Sequence, residues 1–252
     1  MKHVFYTSVF LLSILGFSQN TSLFEKGNAL YNDGKYQEAI NKYQAILETD
    51  VHSAELYFNL GNAHYKLNNI APSIYYYEKA LQLKPKDSEI KNNLNFAKNM
   101  TLDDIDVIPE VGLSKVLNKV SSALSFDLWA ILAVCFVILS VLMFINYIMS
   151  EGTKIKRFSF TFGFTCLFLM LGTLVSAFHK YKLDKSDNPA IVFAQETKVK
   201  SEPNLRSEEA FRIHEGTKVQ VLDTVKNWKK IKLSDGKTGW ISAEDIRLLN
   251  NF

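Results

Sequence analysis

Residues 54–85 read AELYFNLGNAHYKLNNIAPSIYYYEKALQLKP, and residues 23–50 read LFEKGNALYNDGKYQEAINKYQAILETD. Laid over one another, they pair Gly27 with Gly61, Asn28 with Asn62, Tyr31 with Tyr65, Ile40 with Ile74, Tyr43 with Tyr77 and Leu47 with Leu81, each 34 residues apart. A self-match at that period, helical throughout, predicts stacked helix pairs. Small residues at Gly27, Gly61, Ala39 and Ala80 let the two helices of a pair approach closely, while aromatic side chains fill the spaces between pairs. A glycine inside a helix costs about 1 kcal/mol relative to alanine, so close packing is the reason to keep one there. Asp87-Ser88 offers an N-cap to a closing helix carrying Glu89, Ile90, Leu94, Phe96 and Ala97. Two pairs and a cap fall below the roughly three repeats that make a self-sufficient stack, so a partner or the membrane face is expected to help hold it.

Upstream, Met1-Lys2-His3 is a short basic start, followed by an apolar stretch from Val4 to Phe17 and then Ser18-Gln19-Asn20. This has the shape of a secretory signal, with Gly16 and Ser18 suiting a cleavage site after Ser18; an uncleaved anchor is the other reading. Downstream, TLDDIDVIPE carries Asp103, Asp104, Asp106 and Glu110. It lacks the glycine-turned spacing of a calcium loop and reads as a charged linker. Leu113, Val116, Leu117, Val120 and Leu124 then recur at helical spacing among Lys115, Asn118, Lys119 and Ser122. That pattern fits either a helix lying along the membrane surface or one packing on the neighbouring domain.

Leu128 to Met149 holds no charged residue, and at 1.5 Å per residue such a helix is about 33 Å long, enough to cross a hydrocarbon core. Phe158 to Phe178 is a second such run, so the two read as a transmembrane hairpin whose flanking domains share one side. The link, residues 150–157, carries Lys154, Lys156 and Arg157, which favours the cytoplasm for it. Lys180, Lys182 and Lys185 beyond the second run blunt that argument, and the export signal decides it: both flanking domains are expected in the periplasm.

After Lys185-Ser186-Asp187 the pattern turns to short strand-like runs, AIVFA, TKVKS, AFRIH, TKVQVLD, KKIKL and TGWIS. Val219 alternates with Val221 and Ile231 with Leu233, as half-buried strands require, and Asp235-Gly236 between two runs signals a hairpin. Five or six strands in about sixty residues imply a compact barrel.

The 252 residues are 47% hydrophobic and 22% charged, with a net charge of +3, too small for a nucleic-acid footprint. Cys135 and Cys166 both sit in the apolar runs, and His3, His52, His64, His179 and His214 have no metal-ligand spacing. The polar segments offer no cysteine nucleophile, phosphate loop or His-Glu-x-x-His pair, so an enzyme, a metal site and a cofactor are not expected.

The second helical unit resembles a tetratricopeptide repeat through Tyr57, Leu60, Gly61, Tyr65, Ser73, Tyr77, Ala80 and Pro85. The first matches through Gly27, Gly34, Tyr36, Ala39 and Tyr43, with Val51 where the closing proline would stand. The resemblance implies that the first helix of each unit lines a groove, here Phe24, Asn28, Tyr31, Asn32, Phe58, Asn62, Tyr65 and Lys66, where Asn28 and Asn62 can hydrogen-bond an extended peptide. Core packing of Tyr31 and Tyr65 and solvation of the asparagines is the competing reading. Tyr77 takes a core position, with Tyr75 and Tyr76 expected on the outer surface. The tail resembles a bacterial SH3-like domain through Val199 to Pro203, His214-Glu215-Gly216-Thr217, Trp228 and Asp235 to Ile241. Trp228 and Trp240 can form an aromatic shelf for a peptide or wall polymer, or sit partly in the barrel core.

The expected fold class is a multidomain membrane protein: an all-α tetratricopeptide repeat pair, a two-helix transmembrane hairpin and an all-β SH3-like barrel. Its expected segments are a signal (1–18), the repeats (19–100), a linker and interfacial helix (101–127), two spans (128–149 and 158–178) around a cytoplasmic loop (150–157), and the SH3-like domain (179–252). This order is similar to the Bacteroides aerotolerance (Bat) family. The similarity implies a bacterial inner-membrane protein acting beside Bat proteins with von Willebrand type A domains, in envelope or oxidative-stress tolerance. Expected partners are therefore proteins, membrane lipid and possible wall material, without nucleic acid.

Overall fold

The computed structural model describes residues 19–106, 108–109 and 112–250. The signal expected over residues 1–18 lies outside them. The chain divides into two compact units: one joins the segment before Val107 to the segment from Asn188 onward, and the other is the stretch from Ile108 to Asp187.

In the first unit, α1 (residues 19–32), α2 (Tyr36–Leu47), α3 (Ala54–Lys66), α4 (Ile70–Leu83) and α5 (Ser88–Lys98) follow one another as a helical stack. Their turns follow from local chemistry. Gly34, Asp50 and Asn68 adopt left-handed backbone (φ 77°, 59° and 60°), which closes α1, α2 and α3. Ser53 accepts from Leu56 N–H at 3.1 Å to cap α3, and Asp87 accepts from Glu89 and Ile90 to cap α5. Ala39, Ile40, Tyr43, Leu60, Ala63, Ile74, Tyr77 and Ala80 form the buried seam between the helices. Gly61 is tight for a visible reason: an added Cβ would stand 2.6 Å from the Tyr77 ring.

The same unit continues with β1 (Pro189–Val192), β2 (Glu196–Lys200), β3 (Glu209–His214), β4 (Lys218–Val225), β5 (Trp228–Lys232), β6 (Thr238–Ser242) and β7 (Ile246–Leu248). They make one antiparallel sheet in the order β3-β2-β6-β5-β4-β1-β7 around Ala190, Val192, Val199, Ile213, Val219, Ile231 and Ile241. Gly236 at φ 86° makes the β5–β6 turn. β7 is a strand the sequence patterning did not single out.

The support expected from a partner or the membrane comes instead from the chain's own β-domain. Ile191 and Leu249 are fully buried in the core of the repeats. Phe193 meets the Tyr75 ring edge-on at 5.7 Å, and the Arg247 guanidinium lies 4.2 Å from the Phe193 ring centre. Glu78 accepts from Lys98 at 2.9 Å and from Lys218 at 2.7 Å. Burial works against its charge, but the two ammonium groups outweigh it and hold its pKa below the ordinary carboxylate range. Asp103 accepts from the His214 amide (2.6 Å), His214 Nδ1 (2.7 Å) and Thr217 Oγ1 (2.5 Å). Burial opposes this carboxylate too, and those hydrogen bonds lower its pKa.

Asp103 lies on a segment without helix or strand and, beyond its charge, latches the β-domain to the repeats. One expectation is overturned by the packing. Tyr75 and Tyr76 do not lie on an outer surface: Tyr75 packs on Phe193, and Tyr76 stacks on His64 (5.5 Å) and Tyr57 (6.1 Å).

The second unit holds α6 (Gly112–Ser121), α7 (Phe126–Met149) and α8 (Thr153–Ser186). The last two are long and apolar enough to cross a membrane, with mean hydropathies of 3.0 and 1.9 in their best windows. Both outrun the uncharged stretches. Ser125 caps α7 two residues before Asp127, and α8 begins at Thr153, so Lys154, Lys156 and Arg157 lie within its first two turns and the irregular link is residues 150–152. The pair is joined by Ser140 Oγ donating to the Gly163 carbonyl (3.0 Å) and Asn146 Nδ2 donating to Ser159 Oγ (2.9 Å). Small residues thus permit close contact where polar side chains bind across the seam.

Candidate functional site

The period of 34 residues becomes a three-dimensional repeat on one face of the stack. Asn28 Oδ1 on α1 accepts from Tyr43 Oη at 2.7 Å and from Asn59 Nδ2 at 2.9 Å. One period later, Asn62 Oδ1 on α3 accepts from Tyr77 Oη at 2.6 Å and from Asn93 Nδ2 at 2.9 Å. Each network thus ties the two helices of one pair to the first helix of the next. Since 59 and 93 also differ by 34, α5 occupies the place of the first helix of a third pair.

Above each network lies a hollow. One of about 300 Å³ is lined by Asn28, Tyr31, Asn32, Tyr43 and Asn59. The next, about 250 Å³, is lined by Tyr31, Asn62, Tyr65, Lys66, Tyr77, Asn93 and Phe96. Tyr31 borders both. Burial pushes the Tyr43 phenol up to about 12 and raises that of Tyr77, so both hydroxyls stay protonated and can donate to the asparagine oxygens. With each Oδ1 receiving two donors, the Nδ2 groups of Asn28 and Asn62 have no hydrogen-bond acceptor among the described residues. The hollows therefore offer amide donors, aromatic walls and the single cation Lys66, a surface suited to carbonyl-rich extended chain.

Of the eight groove residues expected from sequence, Asn28, Tyr31, Asn32, Asn62, Tyr65 and Lys66 line these hollows. Phe24 and Phe58 do not; their rings pack at 5.9 Å on Tyr43 and Tyr77, which do. Asn59, Asn93 and Phe96 belong to the same surface and were missing from the expectation. Extending the self-comparison by one more period would have paired Asn59 with Asn93.

Trp228 and Trp240 are both half-buried. The β5–β6 register pairs Trp228 with Ser242 and Lys230 with Trp240, and pairing puts directly opposed residues on one face. Both indoles therefore lie on the face opposite buried Ile231 and Ile241, with Lys230 Nζ 6.0 Å from the Trp240 ring centre. They are separate from the hollows, so the molecule carries two distinct candidate surfaces. No group of three or more His, Cys, Asp or Glu side chains fit to hold a metal occurs among the described residues.

Comparison with known families agrees with this geometry. Residues 24–88 match the tetratricopeptide repeat, and residues 196–247 match the bacterial SH3 domain. No curated protein matches the chain. The fold is thus a helical repeat domain, a hairpin of two long apolar helices and an all-β SH3-like domain. Tetratricopeptide repeats are protein-interaction modules, and both matched families are typically non-catalytic.

Proposed function

We propose that the protein is a membrane-anchored scaffold whose repeat groove captures an extended segment of a partner protein. The observation that carries this reading is the duplicated Asn-Tyr-Asn network flooring two adjacent hollows. Its regular spacing presents equivalent amide donors to successive parts of one chain, and the Oδ1 bonds fix them before binding, which lowers the entropy cost of capture. The apolar hairpin confines the groove to a bilayer, so that weak contacts gain effective concentration.

On this reading both soluble parts lie in the periplasm of a bacterium, anchored in the inner membrane. Their shared core supports a common compartment, since Ile191 and Leu249 are buried among the repeats. The module order supports a role like that of the Bat family, in an envelope complex with von Willebrand type A partners and in aerotolerance or stress resistance. The test is crosslinking in intact cells with Asn28→Asp combined with Asn62→Asp, which keep the oxygen acceptors of the networks and remove the Nδ2 donors. The crosslinked neighbours should be lost while near-ultraviolet circular dichroism stays unchanged; an unaltered set of neighbours refutes the groove.

A second reading, wall binding by the SH3-like domain, is favoured by the shared outer face of Trp228 and Trp240. Sedimentation of the detergent-solubilised protein with purified peptidoglycan tests it. Loss of pelleting in Trp240→Ala supports it, and absence of pelleting in the parent removes it.

A further inference from the structure

We propose that α6 is a membrane-surface helix that recognises anionic lipid headgroups, an inference resting on the reading of α7 and α8 as spans. At 100° per residue, α6 divides into three sectors. Leu113, Val116, Leu117 and Val120 occupy one and are 88%, 59%, 37% and 46% exposed. Asn118 and Ser121 occupy the second and face the hairpin: Asn118 Oδ1 meets His179 Nε2 at 2.7 Å, and Trp129 Nε1 donates to the Ser121 carbonyl at 3.0 Å. Lys115 and Lys119, both exposed, occupy the third.

The two tethers fix the level at which α6 sits. Trp129 lies at the start of α7 and His179 just after the apolar run of α8, so both mark the same end of the hairpin. Phe126 and Tyr181 also meet there, at 5.6 Å, and aromatic side chains of this kind favour the headgroup boundary. The aliphatic sector of α6 is exposed and lies off the sector that carries the two tethers, at the end of the hairpin where α7 begins its own exposed apolar surface with Leu128 and Ile131. A bilayer whose boundary falls at that end meets this sector as well.

Charge selects the lipid. Lys180 is paired with Asp184, but no ion pair among the described residues involves Lys115, Lys119 or Lys182. Basic residues at a membrane surface each raise affinity for an anionic bilayer roughly fivefold. An amphipathic helix with a lysine sector and an aliphatic sector is built for that surface.

The full chain carrying Cys135→Ser and Cys166→Ala is reconstituted in nanodiscs of phosphatidylcholine, with or without about one third phosphatidylglycerol. A nitroxide is placed in turn at Val116→Cys, Lys119→Cys and, on the exposed face of α7, Val134→Cys. The Val116 label should collide with oxygen and be shielded from a water-soluble nickel chelate, and the Lys119 label should show the reverse. Phosphatidylglycerol should raise the ratio of shielded to unshielded Val116 label, and Lys115→Gln should cut that gain roughly fivefold. A Val116 label open to nickel, or equally shielded in both lipids, overturns the proposal. So does an immobilised label shielded from both reagents, the signature of cover by protein. Nickel access at Val134 would instead refute the spanning reading, which the other labels leave untouched.

Discussion

A methyl group added at Gly61 tests whether the period of 34 residues is written in packing. In an unconstrained helix, Gly61→Ala should stabilise by about 1 kcal/mol, because glycine is the poorer helix former. Here the new Cβ would stand 2.6 Å from Tyr77 Cδ1, 2.7 Å from Cε1 and 3.0 Å from Cγ. That ring cannot step aside: Tyr77 is 1% exposed and its hydroxyl is tied to Asn62 at 2.6 Å. Overpacking of this kind costs about 1–3 kcal/mol, and overlap with three atoms of a rigid ring belongs at the upper end. The net expectation is a loss of roughly 2 kcal/mol, the clash outweighing the propensity gain. Urea unfolding of the detergent-solubilised protein, followed by near-ultraviolet circular dichroism, measures it. Gly172→Ala in α8 supplies the control, since an added Cβ there meets nothing within 4 Å; it should be neutral or mildly stabilising. A Gly61→Ala protein as stable as its parent would refute the argument that the tyrosine ring dictates the glycine.

Gly27→Ala should repeat the loss, because its Cβ would overlap Tyr43 in the same way, and the same unfolding curves report it. Asp103→Ala removes three hydrogen bonds and should weaken β-domain docking by about 2 kcal/mol, seen as faster hydrogen exchange in β3. His64 is buried, its Nδ1 engaged by Asn69 Nδ2, and burial together with Arg247 presses its pKa down to about 4. The folded protein keeps this ring neutral while the unfolded chain protonates it near 6.5. Stability should therefore be full above pH 6.5 and fall by up to about 3 kcal/mol as the pH drops to about 4, a slope that His64→Phe removes. A carbon-13 titration of the histidine ring that shows an ordinary midpoint would sink this prediction. Glu78 and Asp103 act lower: their lowered pKa values give stability that is present above the ordinary carboxylate range and lost as the pH falls through the folded values. Glu78→Gln should flatten that acid limb.

The repeats and the strand pattern were legible because each is a local periodicity: Gly27 with Gly61 and Tyr43 with Tyr77 at one repeat, Val219 with Val221 at two residues. Six of the residues that line the two hollows were named through the resemblance to a repeat family rather than through periodicity. Asn59 and Asn93, though one repeat apart, escaped because the self-comparison stopped at two units, and their bonds to Asn28 and Asn62 span 31 residues, off the repeat period. The docking of the β-domain escaped because it is wholly non-local: Asp103 reaches His214, and Glu78 reaches Lys218. Tyr75 looked like a surface residue since its cover, Phe193, is encoded more than a hundred residues later, and Tyr76 since its stacking partners, His64 and Tyr57, come from the preceding helix rather than from its own. The start of α7 and both ends of α8 run beyond the uncharged stretches because charge marks where the apolar stretch stops, whereas caps and backbone hydrogen bonds decide where a helix stops.

The interleaving of the two units also imposes an order on biogenesis. A ribosome finishes the five helices first, then makes about eighty residues of a separate unit before it supplies Ile191 and Leu249. During that interval the nascent stack waits with an open seam, at the stage when unfilled apolar surface invites aggregation. The Asn-Tyr-Asn ties and the α5 lid are the elements that can hold it together meanwhile. β7, the last strand among the described residues, then completes a structure begun with α1.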